Sequence, residues 1–170
     1  KNSKQISFSN YINIEDDENY KIFSKKNWNY NKRDGHIYQQ FNETQNWYDI
    51  KFSQDLEKFT KKLFPKFKEY LMSDFSIVNI RAWKNLPNAH IVKSESGQER
   101  GTHRVHTDGF PPGHIKCMIY LQPLDEDHGL FELDEKKIEY DKPGYGIIFK
   151  NSDVPHRAIP GLKKDRYVLE

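Results

Sequence analysis

A chain of 170 residues is long enough for one domain with a sizeable core, because a protein of this size buries about 70% of its unfolded surface. Lys and Arg number 27 and Asp and Glu 25, a balance that gives no signal for nucleic acid or an anionic membrane as a partner. The single cysteine, Cys117, excludes an internal disulfide and a cysteine-rich zinc site. No apolar run approaches the roughly 18 residues of a membrane span, and Lys1 to Asn10 lacks the apolar centre of a signal peptide, so we expect a cytoplasmic protein.

The first third of the chain predicts short, aromatic-rich elements. We predict strands at Gln5–Phe8, His36–Phe41 and Trp47–Phe52. A short helix is predicted at Asp17–Lys26, because its acidic start would lie at the positive end of the helix dipole.

The clearest helix is predicted over Ser53–Met72, with Ser53 as its N-cap. Its apolar residues recur at steps of three and four and form one stripe, made of Leu56, Phe59, Leu63, Phe67 and Leu71. Pro65 lacks a backbone donor and should kink the helix or split it in two. We expect this helix to pack against the outside of a sheet.

From Asp74 onward the pattern changes to short strands separated by Gly- and Pro-containing turns. The predicted strands are Ser76–Trp83, His114–Gln122, Leu130–Leu133, Tyr145–Phe149, His156–Ile159 and Arg166–Leu169. This pattern predicts a mainly β fold with flanking helices and a double-stranded β-helix core, a jelly roll of the cupin kind. We expect a single domain over residues 1–170, in which 1–73 supports a jelly-roll core at 74–170. The polar segment Lys93–Gly101 is predicted to be an exposed loop.

His106-Thr107-Asp108 is the first half of a candidate metal site. Residues two apart in a strand point to the same side, so His106 and Asp108 can approach one metal ion. His156, which opens a later strand, suits the role of third ligand. Two histidines and one carboxylate form the facial triad of non-haem Fe(II) oxygenases, although so short a pattern also occurs by chance. We do not expect the remaining histidines to bind the metal: His36, His90, His103, His114 and His128.

Further motifs follow His106-Thr107-Asp108 in a fixed order. They are Cys117–Gln122 (CMIYLQ), Gly129–Leu133 (GLFEL), Pro143–Ser152, Pro155–Arg157 (PHR) and Arg166–Leu169 (RYVL). From about Ser76 to the C-terminus this order resembles the 2-oxoglutarate/Fe(II)-dependent dioxygenase superfamily, in particular its prolyl-4-hydroxylase-like branch.

The resemblance implies a set of roles for individual residues. The implied Fe(II) ligands are His106, Asp108 and His156. Arg166 would pair with the distal carboxylate of 2-oxoglutarate, and Tyr120 would donate its hydroxyl to the same cosubstrate. Trp83 stands where the family often places a cosubstrate or substrate contact. For Tyr120 and Trp83, simple packing in the core is an equally open alternative.

Strand alternation around Tyr120 predicts two different faces. Lys116, Met118 and Tyr120 would share a face that lines a cavity. The other face would pack between sheet and helix and carry Ile115, Cys117, Ile119 and Leu121.

The implied activity is hydroxylation with release of succinate and CO2, with ascorbate as a candidate reductant. The branch favours an amino-acid or peptidyl residue such as proline as substrate, presented as a small molecule or a peptide. Two alternatives stay open: a non-catalytic, metal-binding cupin-like module, and a zinc hydrolase, whose catalytic sites also use two histidines and a carboxylate. Arg166 argues against a plain cupin, which needs no anion anchor beyond its last ligand.

Overall fold

The computed structural model describes residues 3–7, 28–30, 45–50 and 54–170. The helix predicted at Asp17–Lys26, the strand predicted at His36–Phe41 and the N-cap predicted at Ser53 lie outside the described residues. Within the described part of the chain, no helix combines the length and the apolar character needed to cross a membrane.

The described residues form twelve strands and one helix. The strands are β1 (Ser3–Ser7), β2 (Trp28–Tyr30), β3 (Gln45–Ile50), β4 (Arg81–Asn85), β5 (Val92–Lys93), β6 (Glu99–Arg100), β7 (Lys116–Tyr120), β8 (Gly129–Leu133), β9 (Lys136–Ile138), β10 (Tyr145–Phe149), β11 (His156–Pro160) and β12 (Arg166–Leu169). The helix is α1 (Gln54–Leu71).

The strands form two principal antiparallel sheets. The larger sheet has the order β1-β10-β7-β12-β4-β3-β2, and the smaller has the order β11-β8-β9. An isolated bridge between His106 and His156 adds the chain around His106 to the smaller sheet, beside β11. A separate ribbon pairs β5 with β6.

The chain crosses repeatedly between these two sheets. It passes from β4 in the larger sheet to the His106 bridge in the smaller sheet, and then back to β7. It continues through β8 and β9 in the smaller sheet, β10 in the larger, β11 in the smaller and β12 in the larger. Such alternation produces two facing sheets, which is the jelly-roll arrangement. The predicted double-stranded β-helix is therefore confirmed.

Helix α1 covers the outer face of the larger sheet. Phe59 and Leu63, which are 2% and 3% exposed, pack in one cluster with Ala82, Ile119, Leu121, Ile148 and Leu169. The part of the predicted apolar stripe formed by Phe59, Leu63 and Phe67 thus faces the sheet. Pro65 lies inside the helix and does not split it, because it lies on the exposed side, where water can bond to the carbonyl that it leaves unpaired.

The second cluster lies between the two sheets. Met118 and Tyr120 of β7 pack there with Phe131 of β8 and Phe149 of β10. Cys117 and Ile119, which alternate with them along β7, face the cluster under α1. The predicted division of this strand into two faces is confirmed, and the cavity expected along the Lys116, Met118 and Tyr120 face stays a prediction.

Three local predictions differ from the structure. The strand predicted at Ser76–Trp83 begins only at Arg81, and the segment predicted as a loop at Lys93–Gly101 includes part of the β5–β6 ribbon, although its tip is exposed as expected. Strand β9 was not predicted. Its hairpin turn with β8 uses Asp134 and Glu135, both at positive φ (50° and 64°), in place of the Asn-Gly or Asp-Gly pairs that usually mark such turns.

Candidate metal and cosubstrate site

Three candidate metal ligands meet at the end of the smaller sheet. His106 and His156 face each other across the isolated bridge, with backbone hydrogen bonds of 3.0 and 2.9 Å in the two directions. The carboxylate of Asp108 lies 3.6 Å from Nε2 of His106 and 3.7 Å from Nε2 of His156. The ligand atoms of all three residues lie within 4.8 Å of one another, so a single metal ion could bind them together.

Backbone carbonyls set the orientation of both imidazole rings. Nδ1 of His106 bonds to the carbonyl of Arg104 at 2.8 Å, and Nδ1 of His156 bonds to the carbonyl of Val154 at 2.9 Å. Because a carbonyl only accepts, each Nδ1 carries the proton and each Nε2 presents a lone pair. Among the described residues, Nε2 of His156 is buried without a hydrogen-bond partner, as expected of an atom that serves as a metal ligand.

The protonation states of these residues suit a divalent cation. Burial lowers the pKa of His106, and it lowers the pKa of His156 to about 4. Burial acts to raise the pKa of Asp108, but the Lys116 ammonium, His156 and the Asn151 donor together outweigh burial and hold that pKa below its usual range. At neutral pH the site therefore consists of two neutral imidazoles and one carboxylate.

A buried cation lies in the same barrel. Arg166 on β12 is 1% exposed, and its Nη1 donates to the carbonyls of Leu130 (2.7 Å) and Ile159 (3.4 Å). Its guanidinium carbon lies 5.9 Å from the ring centroid of Tyr120. Nε of Arg166 and the hydroxyl of Tyr120 are both buried without a hydrogen-bond partner among the described residues. Burial raises the pKa of Tyr120, so its hydroxyl stays a donor. These donors suit a bound carboxylate.

Trp83 lies in a different environment from Arg166 and Tyr120. Its buried ring packs between two cations, with Arg81 at 5.1 Å and Lys116 at 5.5 Å from its centroid. These contacts give Trp83 a packing role, and its contact with a cosubstrate stays a prediction.

Two residues that the sequence did not single out contact the candidate ligands. The ammonium of Lys116 forms an ion pair with Oδ2 of Asp108, and Nδ2 of Asn151 donates to the same oxygen at 3.2 Å. The sequence contained one indication for Lys116, because a lysine is unexpected on the predicted cavity face of an apolar strand. Tyr140, whose hydroxyl is also buried and has no hydrogen-bond partner in the described part of the chain, gave no sequence signal.

Three of the other histidines have partners or neighbours of their own. His103 resembles His156 in burial, in an Nδ1 bond to a backbone carbonyl (Ala158, 2.9 Å) and in an Nε2 without a partner among the described residues, but it is not part of the cluster. His114 stacks on Phe110 with 4.5 Å between centroids. His128 is half-buried and bonds to Asp125 at 2.8 Å.

Comparison with known proteins identifies the fold. No family model and no curated protein matches this chain. A prolyl-4-hydroxylase from Pseudomonas putida matches with a TM-score of 0.55 and 14% sequence identity, over 99% of this chain and 89% of that chain. IDO from Bacillus thuringiensis matches with a TM-score of 0.53 and 11% identity, over 99% of this chain and 88% of that chain. The prolyl-4-hydroxylase-like resemblance of the motifs is thus matched by a likeness in fold along nearly the whole chain.

Proposed function

We propose that this protein is an Fe(II)- and 2-oxoglutarate-dependent dioxygenase that hydroxylates its substrate. The observation that carries this proposal is the combination of two sites in one barrel. One is the His106, Asp108 and His156 cluster. The other is the buried guanidinium of Arg166, whose Nε has no hydrogen-bond partner among the described residues. A metal site alone would fit many proteins, whereas a buried anion anchor in the same barrel fits a cosubstrate that carries carboxylates.

Each group has a definite task in this proposal. The two imidazoles and Asp108 would hold Fe(II), which supplies oxidation by O2 coupled to the conversion of 2-oxoglutarate into succinate and CO2. Arg166 would bind the distal carboxylate of the cosubstrate through two N–H groups, and Tyr120 would donate its hydroxyl to that carboxylate. A reductant such as ascorbate would keep the metal in its Fe(II) state.

Aromatic rings shield the site from water. The rings of Phe149 and Phe131 lie 4.9 and 5.9 Å from the His156 ring, and both are buried. A dry, apolar wall strengthens every charge interaction inside the site.

The two alternatives account for less of the geometry. A non-catalytic cupin-like module would leave the buried Arg166 guanidinium without a purpose, although burying a charge is costly. A zinc hydrolase would need a general base beside the metal, and the described residues place no further carboxylate or histidine in the cluster.

For the substrate, we propose an amino-acid or peptidyl residue of the prolyl type. The motif order supports this choice, and so does the match to a protein named a prolyl-4-hydroxylase. Because one fold serves many substrates, a panel of free amino acids and short proline-containing peptides is needed to decide it.

Anaerobic titration with Fe(II) and 2-oxoglutarate tests the proposal. We expect a visible metal-to-ligand charge-transfer band in the wild-type protein and its loss in His156→Ala. His103→Ala is the matched control, because His103 and His156 are 5% and 4% exposed but only His156 belongs to the cluster. Absence of the band in the wild type, or its survival in His156→Ala, would refute the proposed site.

A further inference from the structure

We propose that Lys116 and Asn151 are positioning residues that hold one oxygen of Asp108, so that this carboxylate binds the metal through its other oxygen alone. The inference rests on the proposed function, since it concerns the same metal. It adds a role for two residues outside the ligand set.

Both donors reach the same carboxylate oxygen. Lys116 forms an ion pair with Oδ2 of Asp108, and Asn151 donates to Oδ2 at 3.2 Å. The carbonyl of Asn151 also accepts from the backbone N–H of Asp108 at 2.8 Å, which fixes the two residues side by side. Each oxygen lies near one histidine, Oδ1 at 3.6 Å from Nε2 of His106 and Oδ2 at 3.7 Å from Nε2 of His156. Oδ1 receives neither donor, so it keeps its lone pairs for a cation, whereas Oδ2 uses its lone pairs on Lys116 and Asn151.

The ammonium of Lys116 is itself held in place. Its side chain is 6% exposed, and Nζ lies 3.6 Å from Oε2 of Glu170 and 5.5 Å from the Trp83 ring. Arg81 binds the other oxygen of Glu170 with hydrogen bonds of 3.0 and 2.7 Å. These residues lie on or directly after β7, β12 and β4, three neighbours in the larger sheet, so the network is built on rigid elements.

A buried lysine needs a reason, because removing an ammonium from water costs more than an ordinary ion pair returns. We infer that Lys116 limits Asp108 to one bond with the metal and so keeps coordination positions open. A carboxylate can bind a metal through one oxygen or two, and the facial triad leaves a full face open only when it uses one. With Oδ2 held by two donors, Asp108 leaves that face to the cosubstrate.

Mn(II), a stand-in that O2 does not readily oxidise in such sites, allows the coordination to be seen directly. We would determine crystal structures of the Mn(II)-loaded wild type and Lys116→Met, and measure 2-oxoglutarate affinity by calorimetry. Lys116→Arg keeps a cationic N–H donor at the site. Lys84→Met is the matched control, because it removes a lysine whose ion pair, at 2.8 Å, is with Asp165 and not with Asp108.

We expect Asp108 to bind Mn(II) through one oxygen in the wild type, Lys116→Arg and Lys84→Met, and through two in Lys116→Met. Lys116→Met should bind 2-oxoglutarate about 10- to 100-fold more weakly, the usual range for loss of a group that orients a ligand. It should bind Mn(II) at least as tightly as the wild type, because a repelling charge is gone. General damage to the site would instead weaken both affinities.

The outcomes separate this inference from the proposed function. Failure of the wild type to bind Mn(II) and 2-oxoglutarate contradicts the proposed function. Binding in the wild type, together with one-oxygen coordination and unchanged 2-oxoglutarate affinity in Lys116→Met, overturns the inference alone. If circular dichroism shows that Lys116→Met does not fold, Asn151→Ala carries the test. It should weaken 2-oxoglutarate binding several-fold, and unchanged affinity there overturns the inference as well.

Discussion

The guanidinium of Arg166 lies over the ring of Tyr120, with 5.9 Å from its carbon to the ring centroid, and each side chain is 1% exposed. Each also has a buried donor with no partner among the described residues, Nε of Arg166 and the hydroxyl of Tyr120. Buried donors are costly when they are unsatisfied, so such a pair on one wall of a barrel indicates a place prepared for an acceptor. A carboxylate meets that need with both charge and geometry.

The first prediction concerns this pair. With Mn(II) present, 2-oxoglutarate at about 100 times its dissociation constant should stabilise the wild type by about 2.7 kcal/mol, because it binds only the folded state. Arg166→Met should lose this stabilisation, as measured by the shift in thermal midpoint. Arg157→Met removes a half-buried arginine paired with Glu132 at 2.8 Å and should keep it. Equal shifts in both variants would contradict an anchoring role for Arg166.

A second prediction concerns Gly129, which borders the same guanidinium. A Cβ there would lie 2.4 Å from the carbonyl oxygen of Ile159, 2.7 Å from N of Gly161 and 3.1 Å from Nη1 of Arg166, at a φ of +100°. Gly129→Ala should cost about 3–5 kcal/mol in urea unfolding and weaken 2-oxoglutarate binding.

Gly113→Ala is the control for Gly129→Ala. Gly113 has a similar φ of +90° but nothing within 4 Å of the added Cβ, so only the backbone strain remains, about 1–2 kcal/mol. If Gly129→Ala lowers the free energy of unfolding no more than Gly113→Ala does, the neighbouring atoms move aside at no cost and the prediction is wrong.

The third prediction is a loss of stability in acid for the metal-free protein. Burial lowers the pKa of His156 to about 4, whereas an unfolded histidine titrates near 6.5. Below about pH 6.5 the unfolded chain therefore binds a proton that the folded chain does not, and stability falls until the pH reaches the folded pKa. Between about pH 7.5 and about pH 5, protonation of His156 in the unfolded chain should lower the free energy of unfolding by about 2 kcal/mol. Urea unfolding at a series of pH values, in the presence of a chelator, measures this loss. If His156→Leu leaves the dependence of the free energy of unfolding on pH unchanged, the prediction is wrong.

The sequence predicted which three candidate metal ligands lie together better than it predicted the local elements. His106 and Asp108 come together as strand alternation predicted, although the structure has only an isolated bridge at His106 and no strand at Asp108. The motif order predicted His156 as the third member of this cluster, and the role of Arg166 stays a prediction. The sequence did not predict contacts that depend on how distant strands pack together. The ion pair joins Lys116, on β7 of the larger sheet, to Asp108, which follows the bridge residue His106 of the smaller sheet, and no local pattern contains that information.

The missed and shifted strands have a similar cause. Ser76 to Ile80 has strand-forming residues but no ladder in the structure, because β propensity becomes a strand only where a neighbouring strand pairs with it. The β8–β9 turn forms without glycine, with Asp134 and Glu135 both at positive φ, so the usual turn signal was absent. In both cases the tertiary context outweighed the local preference.

The last prediction tests the cost of proline in α1. Pro65 lies on the exposed side of a helix that runs unbroken from Gln54 to Leu71, so its ring removes a hydrogen bond from the helix interior. Pro65→Ala restores the N–H group and should raise the free energy of unfolding by about 1–3 kcal/mol. Lys62→Ala, at another exposed position of the same helix, should change it by no more than about 0.5 kcal/mol. Urea unfolding measures both, and a loss of stability in Pro65→Ala would mean that the proline ring makes packing contacts worth more than the hydrogen bond it removes.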